Sequence, residues 1–96
     1  MNKAQAYRLG VASGYEAGIY GDFTAQELSA EDAFAEAAAE ICDNKRQFAD
    51  SPTYDIARQP NSESLFDAFD QGEAVGIRRA WCERHKSGGG TRRRSG

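Results

Sequence analysis

Between Lys3 and Tyr20 the chain sets apolar or small residues at helical spacing: Ala6, Leu9, Gly10, Ala12, Gly14, Ala17 and Gly18. Positions three and four apart share one face of an α-helix, so the pattern predicts a helix over about residues 3–20. Within it Ala6, Gly10, Gly14 and Gly18 recur every four residues, and the series returns as Ala68, Gly72, Gly76 and Ala80. Each glycine weakens intrinsic helicity by about 1 kcal/mol relative to alanine, so tertiary packing must compensate. Leu9, Val11, Tyr15 and Ile19 supply apolar area around the small-residue groove, and Gly21-Asp22 is the natural stop.

A second helix is expected over residues 25–48. Thr24 followed by Glu27 has the spacing of a capping box, and Ser29 with Asp32 repeats it, so a short first piece can precede a restart. Phe34, Ala37, Ala38, Ile41 and Phe48 form one apolar stripe, with Glu31, Asp32, Glu36, Glu40 and Asp43 mainly elsewhere. Pro52 and Pro60 then restrict the residues before them away from helical geometry, and Asp50 to Pro60 reads as an ordered loop anchored by Tyr54 and Ile56. Ser62 is placed to cap a third helix over 62–85, whose Leu65, Phe66, Phe69, Val75, Ile77 and Trp81 flank the second small stripe.

These periods predict an all-α fold: a small three-helix domain over residues 1–86, with the first and third helices packed closely through their Gly/Ala stripes and the central helix covering the apolar edges. Self-association through one stripe, giving a homo-oligomer or a small self-assembling structural protein, is the competing arrangement. Residues 87–96, with three glycines ahead of Arg92, Arg93 and Arg94, bury too little apolar area to offset chain ordering and read as a disordered basic tail.

Charge divides the chain. Net charge is −3 over 96 residues, but residues 1–75 hold fourteen acids against five bases, and residues 76–96 one acid against seven bases. An acidic body favours basic partners, and the cationic end suits phosphate. No apolar run approaches the roughly 18 residues that span a membrane, and Met1 to Gly10 lacks a signal-peptide apolar region, so the expectation is no membrane partner and a cytoplasmic location.

The chemistry-bearing residues are sparse. Cys82-x-x-His85 offers two metal ligands and Cys42 a third, short of a tetrahedral structural site, and both thiols are expected to be buried. His85, the sole histidine, lies near the expected end of the third helix, away from any aligned nucleophile. Asp67 with Asp70, and Glu36 with Glu40, share helix faces but lack the contrasting environments that general acid/base pairs need. Gly10-x-x-x-Gly14 has no following Lys and Ser/Thr and no preceding strand, so it is no phosphate-binding loop. The expectation is a chain that is not an enzyme and takes no cofactor or metal.

Gly14-Tyr15-Glu16-Ala17-Gly18-Ile19-Tyr20-Gly21, preceded by Ala6 and Gly10, resembles the N-terminal segment of the ribosome modulation factor family, with looser echoes at Pro52-x-Tyr54 and around Phe69, Gly72 and Trp81. The match covers about a third of the chain. It implies a small helical protein that binds ribosomes and promotes their translationally inactive paired state, with Tyr15, Tyr54 and the C-terminal arginines at the contact surface. That family is strongly basic, whereas this chain carries an acidic body and an acidic central helix.

The leading functional expectation is therefore a nonenzymatic acidic protein-binding factor. Glu27, Glu31, Asp32, Glu36, Glu40 and Asp43 would stand where phosphate charge otherwise sits, blocking a basic, nucleic-acid-binding surface of a host protein. Small phage-encoded inhibitors share this size and charge. The ribosome-associated role is the alternative.

Overall fold

The first helix begins where a reciprocal cap dictates. Asn2 Oδ1 accepts from the Gln5 amide at 2.9 Å, while Gln5 Oε1 accepts from the Asn2 amide at 2.8 Å, satisfying two donors that a helix start leaves unpaired. The computed structural model describes the backbone of residues 1–48 and 50–95 and the side chains of 1–48 and 50–86. Among the described residues all regular structure is helical: α1 (Lys3–Tyr20), α2 (Ala25–Ser29), α3 (Glu31–Lys45), α4 (Pro52–Ala57) and α5 (Ser62–Ser95). The expected disordered tail, 87–96, falls on residues whose side chains lie outside those described.

The two small-residue stripes meet within one chain. A Cβ built on Gly10 would fall on the Phe69 carbonyl oxygen, one on Gly14 on that of Glu73, and one on Gly18 would lie 2.5 Å from the Ala80 Cβ. Residue numbers rise together along the seam, so α1 and α5 run parallel, joined by the long excursion through α2, α3 and α4. The contact is reciprocal: Gly72 faces the Tyr7 carbonyl and Gly76 that of Val11. Gly10, Gly14, Gly72 and Gly76 thus each meet the carbonyl three residues before the opposing glycine, and a local two-fold axis relates the helices. The sequence carries the same symmetry, since Ala6, Gly10, Ala12 and Gly14 recur as Ala68, Gly72, Ala74 and Gly76. Cα–H···O contacts of this kind contribute about 0.5–1 kcal/mol each, and the seam leaves neither stripe free for a second copy.

The remaining helices cover the seam at its two ends. On α3, Phe34 and Ala38 are fully buried with Ile77 and Ala80 of α5, and Tyr15, Ile19, Phe23 and Trp81 pack around them. The Phe34 ring lies 4.6 Å from that of Phe23 and 5.2 Å from that of Trp81. At the other end Ile56 of α4 joins Ala6, Leu65 and Phe69 in a second core cluster. Arg84 closes the C-terminus of α1, donating from Nη1 to the Gly18 carbonyl at 2.8 Å and to that of Ile19 at 3.3 Å. A cation at that position also suits the negative end of the helix dipole.

Several local expectations are corrected. The helix expected over 25–48 does restart after a short first piece, at Ala30, which is extended (φ −137°, ψ 123°) and serves as the C-cap of α2 and the N-cap of α3, but it ends at Lys45 rather than at 48. Ser29 does not cap the restart; its hydroxyl donates to the Gln26 carbonyl at 2.8 Å. Phe48, assigned to the apolar stripe, lies beyond α3 and is 55% exposed. The expected 50–60 loop contains α4, whose first residue is Pro52, a position where the missing N–H has no intrahelical partner to lose. Ile56 anchors it as expected, but Tyr54 is exposed beneath the Arg58 guanidinium, and Thr53 takes the second buried place. Val75 also faces outward. Ser62 is the first residue of α5, so the cap position falls on Asn61, whose carbonyl accepts from Leu65.

Candidate functional site

Helix α3 carries the acidic surface because its apolar positions repeat on a single side. Phe34, Ala38 and Cys42 are buried, and the intervening Ala33, Ala35, Ala37 and Ala39 favour helix while adding little bulk. Glu31, Asp32, Glu36, Glu40 and Asp43 are all exposed. Glu31 and Asp32 lie in the first turn, where the helix dipole favours negative charge.

The six expected partner-binding acids separate into two groups. Glu27 is committed to the capping box of α2: its Oε1 accepts from the Thr24 amide at 2.8 Å, and the Thr24 hydroxyl accepts from the Glu27 amide at 3.1 Å. Asp43 lies 3.6 Å from Arg46 Nε. Glu31, Asp32, Glu36 and Glu40 have no ion pair or side-chain hydrogen bond among the described residues, where the ion pairs join Lys45 to Glu16 and Arg46 to Asp43, Asp70 and Glu73. These four are charges held out to solvent by a helix whose other side is locked into the core.

Beside them runs a groove between α3 and α5 with a volume of about 700 Å³. Phe34, Ala35, Ala39, Ala74, Ile77 and Trp81 give it an apolar floor. Glu31, Asp32 and Glu36 line the α3 wall; Asp70, Glu73 and Arg78 line the α5 wall. The α5 wall is partly neutralised, because Arg46 Nη2 donates to Asp70 Oδ1 at 2.6 Å and to Glu73 Oε2 at 3.5 Å.

The Arg46 cluster is the site's least expected feature. Glu73 is 7% exposed, on the same face of α5 as Phe69 and Ile77. Burial pushes its carboxyl above the ordinary glutamate value, opposed by the Arg46 charge. Burial works against the Arg46 charge too, but the Asp70 hydrogen bond and the Glu73 charge outweigh it and hold the guanidinium above its usual value. Arg46 also lies over the Phe69 ring at 5.5 Å and the Phe66 ring at 6.0 Å. The signal in the sequence is a charge on an apolar face: at the equivalent position of the first stripe stands Val11.

The two cysteines stand in different environments. Cys42 is buried, its thiol donating to the Ser13 carbonyl at 3.8 Å and pushed up to about 12 by burial and the neighbouring Glu73 charge, so it is a thiol rather than a thiolate at neutral pH. Cys82, expected to be buried, is exposed, and both are free. His85 stacks on Trp81 with ring centroids 3.8 Å apart and places Nδ1 2.8 Å from the Trp81 carbonyl oxygen, so its ring is turned along α5. Among the described residues no three His, Cys, Asp or Glu side chains gather as a metal set, and no helix is long and apolar enough to cross a membrane. Of the glycines that carry the ribosome modulation factor resemblance, Gly10, Gly14 and Gly18 face α5 and Gly21 lies against Ile41 and Phe23; Tyr15 packs against the Phe34 cluster, whereas Tyr20 and Tyr54 are exposed.

The chain matches no protein-family model, no curated protein and no solved structure.

Proposed function

We propose that this protein is a nonenzymatic binding factor whose α3 face engages a basic surface of another protein. The observation that carries the reading is the quartet Glu31, Asp32, Glu36 and Glu40, exposed and without counter-charges among the described residues, on a helix fixed by Phe34, Ala38 and Cys42. Uncompensated carboxylates raise the field at the surface and steer a cationic partner into contact. Their rigid spacing along α3 sets a register that a flexible acidic segment lacks. A partner that normally binds nucleic acid is blocked by occupation of its phosphate-binding surface.

The test is recovery of partners on the immobilised full chain from nuclease-treated cell extract, in parallel with the triple variant Glu31→Lys, Glu36→Lys and Glu40→Lys. A basic protein that is retained by the parent chain, released by salt and lost with the triple variant is the expected outcome. Equal retention by both chains at low and moderate salt removes the electrostatic reading. Retention of ribosomal particles in its place assigns the chain to the translation apparatus.

A further inference from the structure

The groove between α3 and α5 is asymmetric in a way that specifies what fits it. Its floor is made of small or buried side chains, with Ala35 and Ala39 on one side and Ala74 and Ile77 on the other. Small side chains let a helix backbone approach closely, the same physics that joins α1 to α5. The α3 wall holds Glu31, Asp32 and Glu36 without counter-charges, whereas on the α5 wall Arg46 compensates Asp70 and Glu73, leaving Arg78 exposed. One wall is therefore anionic and the other neutral to cationic. From Glu31 to Ala39 the wall is about 12 Å long at 1.5 Å per residue, enough for two turns of a docked helix.

We infer that this groove receives an amphipathic helix of a partner protein, with small apolar residues on its inner stripe and Lys or Arg at i, i+4 spacing on the flank that faces α3. This deepens the binding reading above and rests on it. Charge complementarity sets the direction of the helix: basic residues meet Asp32 and Glu36, themselves four apart, and an acidic or neutral flank meets Arg78. Apolar contact supplies the affinity and the walls supply the orientation, as in other helix-in-groove complexes.

Trp81, the sole tryptophan, closes one end of the groove and is its reporter. The probe is a synthetic helical peptide of about 18 residues with an Ala/Leu stripe, one Lys flank and one Glu flank. A scrambled peptide of the same composition is the control, and both are titrated into the full chain at about 0.15 M salt. The expected result is binding at least about tenfold tighter than the control, with a shift in Trp81 emission. Filling the groove by Ala39→Arg, or separately by Ala74→Lys, abolishes the preference while circular dichroism stays unchanged; Asp67→Lys, exposed on α5 and outside both the groove and the acidic quartet, retains it. Equal binding of both peptides with no change at Trp81 overturns the groove inference and leaves the acidic-face reading standing. Binding of neither peptide overturns the groove inference, and the acidic-face reading is then decided by the partner recovery described above. A preference that emerges only after removal of residues 87–96 assigns the groove to the chain's own end and also overturns the inference.

Discussion

Arg46 is the residue on which the interior polar chemistry turns. It supplies the counter-charge for Glu73 from just beyond the end of α3, with Asp70 and Asp43 as further partners. Removing one member of such a pair leaves a buried charge uncompensated. Arg46→Met is expected to lower unfolding free energy at neutral pH by about 2 kcal/mol, the partly exposed guanidinium placing it below the fully buried case. The deficit has a defined pH dependence. Because the Glu73 carboxyl is raised in the folded state, the native protein holds its proton more tightly than the unfolded chain does, and stability from this group falls as pH rises from the ordinary carboxylate range through the raised value. Urea titrations across that interval therefore show the Arg46→Met deficit shrinking toward acid, where a neutral carboxyl needs no counter-charge. A deficit that is constant with pH assigns the loss to the Phe66 and Phe69 contacts instead.

At the scale of elements, the α1–α5 seam reverses the usual effect of a helix substitution. Gly14→Ala gains about 1 kcal/mol of intrinsic helicity, yet its Cβ falls on the Glu73 carbonyl, which is backbone and has no rotamer to yield. Thermal unfolding is expected to show a net loss of at least about 2 kcal/mol, with overpacking outweighing propensity; an unchanged or raised Tm refutes the close seam. The seam itself was legible, because small residues at period four have few other uses on two helices of one short chain. So was the Thr24–Glu27 cap, a purely local device. The restart after Ser29 was legible from the second cap-like pair, but the residue that makes it was not: Ala30, which carries no boundary signal, is the N-cap of α3. Nor was α4, where Pro52 serves equally as a loop residue and as a first helical residue, and only the burial of Ile56 decides between them. Within the site the exposed acids were readable from their spacing against the apolar stripe. The groove was not, because it requires knowing which side of α5 lies beside α3, and Glu73 and Arg46 meet only in the folded chain.

For the molecule as a whole, α4 holds one end of the core with only six residues. Ile56 is fully buried against Ala6, Leu65 and Phe69, at the end of the seam that α3 does not cover. Truncation by Ile56→Ala is expected to cost about 3 kcal/mol, read as one cooperative transition by circular dichroism; a separate early transition would show α4 to be dispensable to the core. The acidic face stands at the opposite end of this arrangement, so its carboxylates can be exchanged at little risk to the fold.

The parallel pairing of α1 with α5 also governs when the molecule can exist. Gly10 and Gly72 are neighbours in space but separated by nearly two thirds of the chain. Small helical domains usually assemble from contacts local in sequence and fold quickly; this one places its closest backbone contact among its most distant residues. During synthesis the small-residue face of α1, weakened by its glycines, has no partner until α5 has emerged. The acidic helix is thus presented as a fixed surface only once the chain is nearly complete.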